Sequence, residues 1–160
     1  TDLQRYSTIM ESLEYLRGQA AVLVGIAETP EDAKLVSASV PKLAFVSPPS
    51  NYRTEGSNLP VQSTDIHLIS RIISNQSFHK AYAVTGAIAT TSAAVIPGTV
   101  VHAMIDSERS SIKIGHPTGV MDCTVKWSSK GKETVIYSAC VQRTARCIAE
   151  AQCYLPGSVL

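Results

Sequence analysis

Apolar residues in the first part of the chain recur at steps of three and four positions, which is the period of an α-helix. The residues that carry this pattern are Leu3, Tyr6, Ile9, Met10, Leu13, Leu16, Ala20 and Leu23. We therefore predict a helix that starts at Thr1 or Asp2, ends at Gly25 and turns this apolar stripe towards the core. Thr29–Asp32 has a capping Thr, a Pro at the first helical position and acids in the first turn, and it predicts a second, short helix to about Ser39.

Short apolar runs bounded by turn residues follow in the middle of the chain. Lys42–Ser47 is a compact apolar run that predicts a buried strand, stopped by two prolines. Ser63–Asp65 has the composition of a helix cap, and the helix that it predicts has isoleucines at positions 66, 69, 72 and 73 on its inner side. Ala81–Val84 predicts a short strand that leads into the next helix.

An uncharged helix is the centre of the predicted fold. The eleven residues from Ala87 to Pro97 carry no charge, whereas a surface helix has a polar face and a bilayer span needs about 20 apolar residues. We predict a helix that is buried on every side and capped by Thr85, with Gly86 leaving the N–H groups of its first turn open to an anion. An ordinary core helix with a Thr cap accounts for the same pattern without any ligand.

From Thr99 onward the apolar period changes to two, which is the period of β-strands. The predicted strands are Val100–Ile105, Ser111–Ile114, Val120–Trp127, Thr134–Val141 and Cys147–Leu155. Turns are predicted at Gly115–Gly119 and Ser128–Lys132, while Arg143–Ala151 fits a helix or a strand. Together the patterns predict one α+β domain over residues 1–160, an antiparallel sheet curled around a central buried helix.

Composition and charge exclude several classes of function. The 14 basic and 13 acidic residues are scattered, so no basic tract suits a nucleic acid or a membrane surface. The four cysteines form no CxxC pair and the four histidines form no HExxH motif, which predicts free thiols, no metal and a cytoplasmic location. We expect no signal peptide, because the first residues carry charges within an amphipathic pattern. The chain begins with Thr1 rather than Met, and we expect a piece of a longer protein or one of two chains that pair.

The turn Gly115–Gly119, with sequence GHPTG, is the sharpest local motif. Such a turn aims backbone N–H groups, an imidazole and a hydroxyl at one point, although a hairpin turn selected for its backbone geometry has the same residues. His79–Lys80 and the pair Arg143 and Arg146 are further cationic candidates for binding carboxylates. A nucleophilic Thr1 is disfavoured because it lies in a helix cap, and no cysteine has a helix-start or histidine-adjacent context that would activate its thiol.

Several segments together resemble a known family. They are Pro41–Pro49 with Tyr52, Asp65, Arg71, His79–Ala81, Thr85–Ala87, Ile96–Thr99, Gly115–Gly119, Arg143–Arg146 and Tyr154–Pro156. In this order they resemble the carboxy-terminal half of the PrpF family, which includes 2-methylaconitate cis-trans isomerase, 3-methylitaconate isomerase, aconitate isomerase and oxalomesaconate tautomerase. The resemblance spans nearly the whole chain, and Thr118 stands where the family usually has Ser.

The resemblance implies a diaminopimelate-epimerase-like fold of two similar halves with the active site between them. It also implies an isomerisation that needs no cofactor, in which a proton leaves a carbon activated by carboxylates and returns elsewhere on the same unsaturated polycarboxylate. That chemistry needs bound carboxylates and a positioned general base. The substrate-binding residues expected in this chain are Thr85, Gly86, His116, Thr118, Gly119, Ser47 and His79.

The catalytic base itself is unassigned in this chain. The resemblance places the family's catalytic residues in an amino-terminal half, so the expected partner is that half or a second chain, and a homo-oligomer is compatible with the pattern. The chain alone is then expected to be inactive. A non-catalytic module of the same fold, which binds an organic acid or pairs with another domain, is the alternative.

Overall fold

The computed structural model describes residues 2–74, 77–105, 109–131, 133–143, 145 and 147–153. The helices are α1 (Asp2–Leu23), α2 (Ala33–Val36), α3 (Val84–Ala94) and α4 (Val100–Met104), with one 3₁₀ turn at Ser63–Asp65. The strands are β1 (Leu43–Ser47), β2 (Tyr52–Arg53), β3 (Pro60–Val61), β4 (Leu68–Ser74), β5 (Ser77–Phe78), β6 (Ser111–His116), β7 (Gly119–Lys130) and β8 (Glu133–Val141). The α+β class is as predicted.

A curled half-barrel sheet organises the fold, in the order β1-β4-β6-β7-β8, with β5 paired to the end of β4. All of these pairings are antiparallel except β4 with β6, where Leu68 lies opposite Ile114 in a parallel register. The prediction of an antiparallel sheet is therefore wrong at this pair. Parallel neighbours need a long crossover connection, and α3 and α4 lie in that connection.

Helix α3 covers one face of the sheet and packs against β6, β7 and β8. The residues that face it alternate along their strands, as a half-buried sheet requires; they include Leu68, Ile72, Ile112, Ile114 and Cys123, each at most 2% exposed. The predicted burial on every side is wrong, because Thr85 and Ala89 are exposed. Among the described elements, the sheet and α4 contact α3 and leave this side of it open to solvent.

Strand β4 occupies the segment for which the sequence predicted a helix. Ile66, Leu68, Ser70 and Ile72 are buried at every second position, and the β-branched isoleucines suit a pleated surface. The isoleucine spacing alone also fits a helix, so the pattern was ambiguous. The polar residues before it form only the three-residue 3₁₀ turn.

Helix α4 replaces the strand predicted at Val100–Ile105. The Thr99 hydroxyl accepts a hydrogen bond from the His102 N–H at 3.1 Å and so caps the helix. The strand predicted at Ala81–Val84 is also absent, since β5 pairs with β4 just upstream. Residues 147–153 contain no strand, and the rest of the predicted Cys147–Leu155 strand lies outside the described residues. Within Arg143–Ala151 the described residues form neither helix nor strand.

Strand β1 is confirmed at the predicted run but lies at the sheet edge rather than in the core. Its one described partner strand is β4, and Phe45 is 39% exposed. The prediction of a buried strand is wrong because an apolar run does not reveal how many neighbours a strand has. The two hairpin predictions are confirmed, as β6 turns directly into β7 and β7 into β8.

Helix α1 is confirmed in extent and wrong in the face that it buries. Glu14 and Arg17 are 4% and 1% exposed and form an ion pair, with Arg17 Nη2 at 2.6 Å from Glu14 Oε1. Arg17 Nη1 also donates to the carbonyls of Ser37 (2.9 Å) and Val40 (3.3 Å), which ties α1 to the α2 segment. We refer to α1 and residues 24–40 as the α1–α2 unit.

Only part of the predicted apolar stripe of α1 points away from this ion pair, and Met10, Leu13 and Ala20 are half-buried. Ile9, Leu16 and Leu23 are 51%, 55% and 85% exposed. At about 100° per residue, these three residues point roughly 150° away from the buried face. The pattern is therefore real, but Ile9, Leu16 and Leu23 lie largely in solvent in the described part of the chain. No described helix has the length and apolar run that a bilayer crossing would require.

Candidate functional site

The turn between β6 and β7 carries the most enclosed polar group of the predicted site. His116 lies opposite Gly119 in the hairpin register, with Pro117 and Thr118 at the tip. The His116 side chain is only 7% exposed, and its ring stacks on Tyr82 with centroids 6.4 Å apart and planes 23° apart. The Thr118 hydroxyl lies 3.4 Å from His116 Nδ1. The predicted turn is thus confirmed, and its imidazole points inward.

The surroundings of His116 favour the neutral imidazole. Burial lowers its pKa most, and the positive charges of Arg71 and His79 lower the pKa further. A group that already has an ordinary pKa near 6.5 is then uncharged at neutral pH. The site therefore offers a hydrogen-bonding ring rather than a fixed cation.

A measurable pH dependence follows from this lowered pKa. Below pH ~6.5 His116 binds a proton in the unfolded chain but not in the folded one. The free energy of unfolding is therefore at its full value above this pH and decreases as the pH falls below it. Replacing His116 with Gln should flatten the dependence in denaturant-unfolding midpoints measured from pH 7.5 to 5. Burial and the charges of Arg109 and Lys113 also lower the pKa of His67, so His67→Gln must be measured separately. A slope unchanged in His116→Gln would contradict the assignment.

A buried hydroxyl network fixes the ring on which His116 stacks. The Tyr82 hydroxyl is 2.7 Å from the Ser70 hydroxyl and 2.9 Å from the Thr90 hydroxyl. Ser70 in turn donates to the carbonyl of Phe45 at 3.1 Å. These bonds connect β1, β4 and α3 to one aromatic ring. The packing between the sheet and α3 therefore fixes the Tyr82 ring on which His116 stacks.

A cleft of about 590 Å³ opens beside the turn. It is lined by Asp65, Ala81, Tyr82, Lys113, His116, Thr118, Gly119, Val120, Met121, Asp122, Gln142 and Arg143. The lining combines an apolar floor with two cations, two carboxylates and the hydrogen-bonding groups of the turn. A cleft with a few convergent polar groups is typical of a small-molecule site.

The start of α3 differs from the expected one at the two residues predicted there. The helix begins at Val84 with Ala83 as its N-cap, no side chain caps it, and Thr85 is exposed in the first turn. The prediction that Thr85 is the N-cap is therefore wrong. Gly86 is buried, and a Cβ there would lie 2.6 Å from the Cδ1 atom of Ile72. This glycine lets the helix approach β4 closely.

The structure separates the remaining predicted residues from the cleft. Ser47 is exposed at the end of β1, in the same cross-strand row as Ile69 and Gly115, so it is at the sheet end that bears the turn but two strands away from β6. His79 is exposed, and its electrostatic interaction with His116 contributes to the lowered pKa of His116. His116, Thr118 and Gly119 line the cleft together, whereas Ser47, His79, Thr85 and Gly86 do not.

Sequence reasoning missed three residues that build the site. Tyr52, Arg71 and Tyr82 contact the turn or its neighbours, but each lies far from His116 along the chain. The only available signal was the presence of Tyr52 and Arg71 among the segments of the family resemblance. Within the described ranges, no group of three or more His, Cys, Asp or Glu side chains is arranged to hold a metal ion.

Comparison with known proteins gives a consistent result. Residues 2–156 match the family described as PrpF protein. The chain is 34% identical to the 3-methylitaconate isomerase of Eubacterium barkeri, over 95% of this chain and 40% of that protein. It is 29% identical to the 2-methyl-aconitate isomerase of Shewanella oneidensis, over 97% of this chain and 39% of that protein.

A solved structure agrees with these sequence relatives. The crystal structure of a methylitaconate-delta-isomerase superposes with a TM-score of 0.72 at 30% identity, and the match covers 85% of this chain and 36% of that one. The chain thus spans about two fifths of the length of the relatives that it matches. Because the family match covers residues 2–156, the chain belongs to the PrpF family.

Proposed function

We propose that this chain carries the polycarboxylate-binding part of an isomerase that moves a proton and a double bond within an unsaturated polycarboxylate, without a cofactor. The observation that carries the proposal is the cleft beside the His116 turn, where a neutral imidazole and a hydroxyl lie near the cations Lys113 and Arg143. The names of the relatives support the substrate class. In this proposal the chain forms one half of an epimerase-like fold.

The chemistry explains why such a cleft suits the reaction. Removing a proton from a carbon next to a carboxylate leaves an enolate-like negative charge, which fixed donors and cations stabilise. Lys113 and Arg143 supply charge at the rim of the cleft, and Arg suits a carboxylate through paired hydrogen bonds. The uncapped N–H groups of the first turn of α3 offer further donors outside the cleft.

In this proposal His116 and Thr118 orient the bound carboxylate and do not neutralise its charge. If the Thr118 hydroxyl donates to Nδ1, the neutral ring carries its proton on Nε2 and donates it into the cleft. A neutral donor orients a carboxylate without giving up a proton at neutral pH. The general base that starts the reaction is assigned, in this proposal, to an amino-terminal half or a second chain.

Binding of trans-aconitate to the purified chain tests the proposal. Calorimetry is expected to detect trans-aconitate and to detect much weaker binding of the monocarboxylate crotonate. His116→Phe keeps a ring on Tyr82 but removes both nitrogens. Since a hydrogen bond to a charged group contributes about 1.5–3 kcal/mol, this variant should bind trans-aconitate roughly 10- to 150-fold more weakly.

Two threonine variants give a further test and its matched control. Thr118→Val removes a hydroxyl from the cleft, and Thr134→Val removes one from the far hairpin between β7 and β8. Only the first should weaken trans-aconitate binding. Equal affinities for trans-aconitate and crotonate, or unchanged affinity in both His116→Phe and Thr118→Val, would refute the proposed site. Solvent deuterium that enters bound trans-aconitate would show that this chain alone holds the base.

A further inference from the structure

The β2–β3 hairpin forms hydrogen bonds with the backbone of the His116 turn. The Tyr52 hydroxyl lies 3.0 Å from the carbonyl oxygen of His116 and 2.6 Å from that of Gly119, which are the two ends of the turn. The N–H of Glu55 donates to the carbonyl of Pro117 at 2.7 Å. Three of the four carbonyls from residue 116 to residue 119 are therefore held by one short segment that is remote in sequence.

The surroundings of Tyr52 are shaped to hold its ring in this place. The guanidinium carbon of Arg71 lies 5.6 Å from the ring centroid, and Arg71 Nη1 also contacts the carbonyl of Gly115 at 3.4 Å. A Cβ on Gly115 would be only 3.1 Å from the Tyr52 hydroxyl and 2.9 Å from Ile66 Cδ1. The glycine thus makes room for the hydroxyl, and the cation stacks on the ring.

We infer that Tyr52 is a positioning residue that holds the His116–Gly119 turn, and through it sets the place of the His116 ring in the cleft. Its hydroxyl proton is shared by the two carbonyls that close the turn, so it fixes their separation. Burial raises the pKa of Tyr52, which keeps the hydroxyl protonated and able to donate. The inference rests on the proposed function only where ligand affinity is used as a readout.

The physical consequence concerns the carbonyls. Without the hydroxyl, the carbonyls of His116 and Gly119 lose a common donor, and partly buried acceptors without donors turn towards water. The turn then opens, and His116 moves away from the Tyr82 ring and becomes better hydrated. Because burial is the largest cause of the lowered pKa of His116, that pKa should rise towards its ordinary value.

Tyr52→Phe tests this inference, because it removes the hydroxyl and keeps the ring under Arg71. The titration of each histidine is followed by NMR through its Cε1–H resonance, in the ligand-free chain. The expected result is a raised pKa for His116 with unchanged titrations of His67 and His102. Trans-aconitate affinity should fall about tenfold, which corresponds to the weakening of one hydrogen bond.

Two further variants keep the test decisive. Tyr15→Phe removes a hydroxyl that accepts a hydrogen bond from Gln19 at 2.8 Å on α1, and it should leave the titration of His116 unchanged. Gly115→Ala crowds the Tyr52 hydroxyl from the other side and should raise the pKa of His116 in the same direction as Tyr52→Phe. A raised His116 pKa in both Tyr52→Phe and Gly115→Ala would support the inference that the position of the Tyr52 hydroxyl matters.

The outcomes separate this inference from the proposed function. A folded Tyr52→Phe chain with an unchanged His116 titration overturns the inference, and so does an equal shift of His67 and His102, which would indicate general loosening. A selective His116 shift supports it even where the parent chain binds no trans-aconitate. In that last case the proposed function fails and the positioning role stands.

Discussion

Replacing Arg17 with Ala is expected to lower the free energy of unfolding of the α1–α2 unit by about 3–5 kcal/mol. The variant leaves the Glu14 carboxylate buried without its cation, and Oε2 of Glu14 has no hydrogen-bond partner among the described residues. It also removes the donor to the carbonyls of Ser37 and Val40. Hydrogen exchange of the α1 amides measures the effect directly, because the main described contact of α1 is with α2.

Two controls separate the buried charge from ordinary loss of an arginine. Arg53→Ala removes an exposed arginine that donates to the carbonyl of Asn58, and it should change stability by no more than about 0.5 kcal/mol. The double variant Glu14→Leu with Arg17→Met removes both charges and should lose less than Arg17→Ala alone, since no unpaired charge stays buried. Protection of the α1 amides that is the same in Arg17→Ala and in the parent would contradict the ion-pair assignment.

The second large effect is expected at Tyr82, where Ala should cost about 3–5 kcal/mol of global stability. The side chain is 3% exposed, packs in the core with Leu68 and Ile72, and stacks on His116. Its loss leaves a cavity between α3 and the sheet and removes the hydroxyl that bonds to those of Ser70 and Thr90. Equilibrium unfolding in denaturant measures the cost.

Tyr82→Phe separates the stability contributed by the hydroxyl of Tyr82 from that contributed by its ring. It keeps the ring, so it should lose only the hydroxyl contacts with Ser70 and Thr90, about 1–3 kcal/mol. The His116 pKa should rise in Tyr82→Ala, where the ring loses its cover, and change little in Tyr82→Phe. Equal losses of stability in the two variants would show that the stacked ring contributes nothing.

The sequence predicts well those parts of the fold whose interacting residues lie close together along the chain. The hairpin β6–β7 was found because the turn residues His116–Gly119 and the alternating strands beside them lie in one continuous stretch. The isoleucine spacing of the β4 segment fits a helix as well as a strand, and the partner strands that decide between them lie far away in the chain. The face of α1 was predicted wrongly because Glu14 and Arg17 neutralise each other, which makes a charged face the buried one.

The same distinction between near and distant residues holds for the candidate site. His116, Thr118 and Gly119 were predicted because they are contiguous, and they do line one cleft. The sequence predicts a cap at Thr85 and an open helix start at Gly86, whereas the glycine lies against the Cδ1 atom of Ile72. Such an approach depends on how the helix meets the sheet, which no local pattern of residues encodes.

The parallel pairing of β4 with β6 has a consequence for the order of folding. β6, β7 and β8 are joined by tight turns, whereas Leu68 meets Ile114 only after the whole α3–α4 crossover is in place. Near pairs close faster than distant ones because less chain entropy is lost, so this seam closes late. His116 lies on one side of the seam, and Tyr52 and Tyr82 reach it from the other. We therefore expect the site to form late, and the stacking of His116 on Tyr82 to report that the β4–β6 pairing has formed.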